Sequence, residues 1–161
     1  KLNDLLSAIS LKGKKIAVDE QSFTDTTFLL TLFKETITDL QIFSFYKNCE
    51  FYEEQDLMIE TVFDNENYTN GIKSTMPLLI DDFYTAKEIL NTQLQPTVAI
   101  FRSDSFDYKY TGGFDLIFEV APLKSGISSV FDGILRVLER DVVHLEIKYK
   151  IDEASCLIFE N

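Results

Sequence analysis

The order in which two periodicities follow one another along the chain constrains its fold more than any single motif. In the first two thirds, short apolar runs alternate with segments whose apolar residues recur at helical spacing; beyond the Gly112-Gly113 turn only strand-like runs remain. The early runs are Lys15 to Asp19 (KIAVD), Leu40 to Tyr46 (LQIFSFY), Met76 to Ile80 (MPLLI) and Thr97 to Arg102. Between them the spacing predicts helices: Phe28, Leu29, Leu32, Phe33 and Ile37 share a stripe behind a Thr24-Asp25 N-cap. Further helices are expected over Glu53 to Phe63 and over Tyr84 to Leu94, the last stopped before Pro96. Ahead of them, Leu2, Leu5, Leu6 and Ile9 read as a short helix ending near Gly13. The polar, Asn-rich stretch from Asp64 to Thr75 reads as a loop. The late strands are Leu116 to Val120, Ile134 to Leu138, His144 to Lys150 and Ala154 to Phe159.

Strand–helix alternation favours a parallel sheet with crossovers, and a run of strands favours its antiparallel extension. The expected fold is therefore α/β, with a mixed, mostly parallel central sheet, antiparallel C-terminal strands and helices on both faces. A length of 161 residues suits one domain over 1–161, and 45% apolar residues suffice for a core. No apolar run approaches the roughly 18 residues of a membrane span. The start lacks the layout of a secretory signal, and Cys49 and Cys156 suggest no disulfide framework, so a cytosolic address is expected.

In an open α/β sheet, ligands gather at the carboxyl ends of the strands, in loops that lead into helices. The loop after the first strand runs Asp19-Glu20-Gln21-Ser22-Phe23-Thr24-Asp25-Thr26-Thr27. A phosphate cradle there needs glycines, so that backbone N–H groups can converge, and a lysine to neutralise charge. This loop has neither, and its three carboxylates would repel a triphosphate. Asp81-Asp82 after MPLLI has the form of a Walker-B acid pair, yet without a cradle to share Mg²⁺ it reads as a degenerate remnant and not a metal site.

Other constellations are weaker. His144, the only histidine, has no suitably spaced nucleophile, and two cysteines with one histidine cannot complete a usual zinc site. The net charge of −12 disfavours direct nucleic-acid binding. Glu53, Asp56, Glu60 and Asp64 share one helix face, which reads as a solvated face or as a grip on a basic partner. Phe43, Phe45, Tyr46, Phe51 and Tyr52 read as core or interface residues and not as a base-stacking platform, since no Lys or Arg interleaves them except Lys47. Lys12, Lys14 and Lys15 form the one tight basic cluster. No catalytic residue and no cofactor is expected.

Pro122-Leu123-Lys124-Ser125-Gly126, with Gly133 seven residues beyond Gly126 opening a strand, resembles the turn of the sixth subunit of the Elongator complex. Lys1-Leu2-Asn3-Asp4-Leu5-Leu6, Leu78-Leu79-Ile80-Asp81-Asp82 and Lys148-Tyr149-Lys150-Ile151 are similar to other parts of that family, so the likeness spans nearly the whole length. Two departures stand out: Val130-Phe131 replace an acidic residue and a valine, and the stretch from Phe63 to Met76 is shorter than the family's central region. The resemblance implies a RecA-like, P-loop-type fold without a P-loop, catalytically inactive. It implies a place beside the fourth and fifth subunits in a heterohexameric ring that binds tRNA and supports wobble-uridine modification in the cytoplasm, with the nucleus as a second address. Pro122, Leu123, Lys124, Ser125, Gly126 and Gly133 are the expected partner interface. The alternative is an acidic inhibitor or immunity-type protein that neutralises a basic partner. A Mg²⁺-dependent enzyme built on Asp81 and Asp82 is the remaining rival.

Overall fold

A computed structural model describes residues 9–45, 60–61, 75–90, 95–102, 104–107, 112–151 and 157–160. Its strands are β1 (Ile16–Glu20), β2 (Gln41–Ser44), β3 (Glu60–Thr61), β4 (Leu78–Asp81), β5 (Val98–Phe101), β6 (Leu116–Ala121), β7 (Gly133–Glu139), β8 (Val142–Ile151) and β9 (Leu157–Glu160). They form one nine-stranded sheet in the order β3-β2-β4-β5-β1-β6-β7-β8-β9. From β3 to β6 every pairing is parallel, and from β6 to β9 every pairing is antiparallel. The mixed sheet read from the alternation of patterns is thus present.

Two helices are described, α1 (Thr27–Thr36) between β1 and β2 and α2 (Phe83–Leu90) between β4 and β5. Alternate strand residues face opposite ways, so the parallel strands bury both faces. Ile16, Val18, Leu79, Val98, Ile100 and Phe118 pack under Phe28, Leu29 and Phe33 of α1. Ala17, Ile80, Ala99, Phe101 and Ile117 pack on the other face against Phe83 and Ala86 of α2. The β1-to-β2 connection moves towards β3 and carries its helix on one face. The β4-to-β5 connection moves the opposite way and carries its helix on the other face. Both crossovers therefore have the same hand, as the twist of the strands requires. The β5-to-β6 connection passes over β1 and seats Phe106 and Phe114 on the α2 face, edge-on to Phe101.

Beyond β6 the α1 face stays covered along its length, while among the described residues the opposite face is covered only in part, at Leu138 and under the turn after β6 at Ile134. Leu135, Val137, Ile147 and Tyr149 join the α1 core, whereas His144, Glu146 and Lys148 project from the opposite face into solvent. The β7–β8 turn is made by Arg140 and Asp141, both in the left-handed region at φ 49° and 65°, the arrangement that matches a tight hairpin to strand twist.

Two local expectations are corrected. Glu60–Thr61 is a strand and not part of a helix, because its backbone pairs in parallel with Phe43 and Ser44 of β2. The N-cap of α1 is Thr26, not Thr24-Asp25: the Thr24 hydroxyl turns back onto the carbonyls of Gln21 and Val120. The expected helix over residues 2–8, the rest of the Glu53–Phe63 helix, most of the Asp64–Thr75 loop, the end of the Tyr84–Leu94 helix and both cysteines lie outside the described residues. Among the described residues, no helix is long and apolar enough to cross a membrane.

Candidate functional site

The carboxyl ends of β1, β4 and β5 lie side by side, and the last residue of each apolar run there is polar. Glu20, Asp81 and Arg102 all fall on the α1 face by strand alternation. Arg102, just past β5, stands between the two acids and is only 7% exposed. Its Nε donates to Asp81 Oδ1 at 2.7 Å and its Nη2 to Asp81 Oδ2 at 2.9 Å. Its Nη1 donates to Glu20 Oε2 at 2.7 Å and lies 3.8 Å from Asp25 Oδ1. The Ser44 hydroxyl, one strand further on, is 3.4 Å from Asp81 Oδ2. A two-pronged guanidinium–carboxylate pair with a third hydrogen bond is the arrangement that lets such charges stay buried.

Glu20 has a second task. Its Oε2 accepts the Thr26 N–H at 3.1 Å and the Thr26 hydroxyl at 2.9 Å. The carboxylate therefore sits at the start of α1, where the helix dipole and unpaired N–H groups favour negative charge. In a phosphate-binding protein of this architecture that position belongs to the ligand. Here the chain's own side chain occupies it.

The loop between β1 and α1 uses its donors internally. Gln21 N–H goes to Val120 O at 2.9 Å and Thr24 N–H to Gln21 O at 3.2 Å. Ser22 N–H goes to Asp104 Oδ1 at 3.0 Å, and its hydroxyl donates to Asp104 Oδ2. Asp104 is fixed in turn by its own N–H on Glu20 O at 2.9 Å. Phe23, at the tip, takes φ 66° and is 99% exposed. With these amides committed to carboxylates and carbonyls, the loop presents an anion with acidic side chains instead of converging N–H groups.

The acid pair expected after β4 is divided between two roles. Asp81 is fully buried and held by Arg102, while Asp82 Oδ1 accepts the Thr85 N–H at 3.2 Å at the start of α2. Among the described residues, no cluster of three or more His, Cys, Asp or Glu is placed to hold a metal ion.

On the opposite face, a second charged row crosses the antiparallel extension. Asp19 is the register partner of Glu119, Glu119 of Arg136, and Arg136 of Glu146. Arg136 Nε donates to Glu146 Oε2 at 2.5 Å, and its Nη1 is 3.7 Å from Glu119 Oε2. Burial pushes the Asp19 carboxyl up to about 6; Glu119 beside it adds to this, the Gln21 side chain opposes it by hydrogen bonding, and Asp104 adds again.

The remaining residues singled out in the sequence are dispersed. His144 is half exposed on β8, 3.6 Å from Glu139. Lys14 Nζ is bonded to Glu139 at 2.6 Å, so the basic cluster lies at the amino ends of the strands, far along the sheet from the acids of the loop. A cleft of about 530 Å³ opens there between residues 11–15, 36–38 and 95–97.

In the turn after β6, Pro122, Lys124, Ser125 and Gly126 are exposed and Leu123 is buried. Gly126 takes φ 85° and its N–H closes the turn on Leu123 O, which explains a glycine at that place. Gly133 is buried for a different reason. A Cβ there would lie 2.7 Å from Ala121 O and 2.8 Å from the Tyr149 hydroxyl.

Sequence reasoning missed Arg102 and the cap formed by Glu20. The available signal was a basic residue directly after a fully apolar strand, VAIF, with acids closing two other strands. No protein-family model matches this chain, and no curated protein matches it.

Proposed function

We propose that the chain is a non-catalytic structural subunit of a RecA-like heterohexameric ring, in the manner of the sixth Elongator subunit that its motifs resemble, supporting tRNA binding and wobble-uridine modification through its assembly. The observation that carries the non-catalytic half is the self-filled nucleotide position: Glu20 caps α1 and Arg102 neutralises Asp81. The helix start that a triphosphate would need is bonded to Glu20, and the carboxylate that its Mg²⁺ would need is bonded to Arg102. The RecA-like half is supported by the sheet order, with β5 inserted between β1 and the Asp81 strand and antiparallel strands following β6.

In this reading the fold is kept for its surfaces. Exposed apolar side chains are found around the strand ends, with Phe23 and Tyr84 at the carboxyl edge and Ile127 and Val130 in the turn after β6. An acidic chain meets tRNA through cationic neighbours instead of gripping it alone. Co-purification from the native source, followed by mass spectrometry, is the test. Two further RecA-like chains at equal stoichiometry are expected, the fourth and fifth Elongator subunits among the candidates. Recovery of a stable, partner-free monomer contradicts the proposal, and capture of a single basic toxin or nuclease replaces it with the inhibitor reading.

A further inference from the structure

On the partly covered face of the antiparallel extension, the turn after β6 overhangs β7 and β8 and encloses a cleft of about 490 Å³. Its floor is apolar, formed by Leu123, Ile134 and the half-buried ring of Phe131. Its rim is basic, formed by Lys124, Arg136 and Lys148. Lys148 Nζ lies 5.5 Å from the centre of the Phe131 ring, a cation–π distance that holds the ammonium at the mouth. Lys150 Nζ donates to Ser129 O at 2.8 Å and ties the overhanging loop to β8. Two bonds from Val130 and Phe131 N–H to the Ser128 hydroxyl shape the loop from within.

The charges in this cleft are unequal. Arg136 is balanced by Glu146 directly opposite and by Glu119, and it holds the Glu146 carboxyl below its usual range, with Lys124 contributing. Among the residues that line the cleft, Lys124 and Lys148 therefore provide the excess positive charge, in a chain whose net charge is −12. Val130 adds a half-exposed apolar side chain beside them.

We propose that this cleft docks a short acidic segment of a partner protein, a carboxylate between Lys124 and Lys148 and an apolar side chain over Phe131. A nucleic acid is the poorer match. Its extended charge would feel the acidity of the whole molecule, whereas a single carboxylate feels only groups within a screening length of about 8 Å. The proposal rests on the assembly reading for the source of the segment, while the binding itself is separable from it.

The test uses the full chain and a fluorescein-labelled peptide alternating Glu and Leu, followed by anisotropy at low and high salt. Binding is expected to weaken with salt and to fall at least about tenfold in both Lys124→Glu and Lys148→Glu, the usual effect of reversing a contacting charge. Lys34→Glu, on the exposed face of α1, is expected to leave it unchanged. Circular dichroism of the variants guards against misfolding, and Val130→Asp gives a second route to the same loss. Absence of binding, equal loss in Lys34→Glu, tighter binding of oligouridylate to the same residues, or self-association that buries the cleft would each overturn the proposal. Failure to co-purify ring partners would leave peptide binding intact, so the two readings fail separately.

Discussion

Arg102 and Asp81 are joined by two parallel hydrogen bonds across neighbouring strands, Nε to Oδ1 and Nη2 to Oδ2 at 2.7 and 2.9 Å. Asp81 is fully buried and Arg102 only 7% exposed, so each depends on the other. Removing the cation strands two buried carboxylates, Asp81 and Glu20. Arg102→Ala is expected to destabilise the fold by about 3–5 kcal/mol, the usual cost of breaking a buried pair from one side. Urea unfolding measures it. A loss below about 1 kcal/mol would mean that the pair is solvated and the crevice open.

Glu20 makes the complementary prediction. Glu20→Ala vacates the place between the Arg102 guanidinium and the Thr26 N–H, leaving a cation and a helix start facing an empty position. The variant is expected to be less stable than the parent but to gain more from added sulfate in thermal melts. Equal sulfate dependence of both proteins would show that this position is not an occluded anion site.

On the other face, Asp19 links stability to pH. Its carboxyl is raised from 3.8 to about 6 by burial first and by Glu119 next. A raised folded pKa means that the fold prefers the protonated form. The contribution of this group is therefore full below about pH 4 and is lost as pH rises through 6; the shift corresponds to about 3 kcal/mol. Asp19→Asn is expected to stabilise the protein at pH 7 and to flatten this part of the profile between pH 4 and 7. An unchanged profile in urea titrations would contradict the assignment.

Gly133 offers a purely steric test. The Cβ of an alanine would sit 2.7 Å from a backbone oxygen and within 2.9 Å of the Tyr149 ring. Gly133→Ala is expected to cost about 1–3 kcal/mol through overpacking. Tyr149→Phe in the same chain should restore only part of it, because the Ala121 carbonyl remains in the way. Full restoration would place the whole clash on the hydroxyl.

Much of this architecture could be read from local pattern. The switch from alternating strands and helices to strands alone places the boundary between the parallel and antiparallel parts of the sheet at β6. The loop after β1, which has neither glycine nor lysine, bonds its Gln21, Ser22 and Thr24 N–H groups within the protein. What local pattern cannot carry is register. The bonds of Arg102 reach residues 21 and 82 positions away, and only the strand order β4-β5-β1 makes them neighbours. For the same reason Asp81-Asp82 read as one motif, although Asp81 closes β4 and Asp82, in the left-handed region at φ 59°, leads into α2, so the two divide between a buried ion pair and a helix cap. Glu60–Thr61 read as helix because helical spacing is local, whereas pairing with β2 is not.

Titration calorimetry of the purified chain with ATP and Mg²⁺ addresses the central claim most directly. Because Glu20 holds the start of α1 and Arg102 holds Asp81, no binding heat is expected at physiological nucleotide concentrations, with or without the metal. Saturable, magnesium-dependent uptake of ATP that Arg102→Ala or Glu20→Ala alters would show that a ligand displaces these bonds, and would contradict the account.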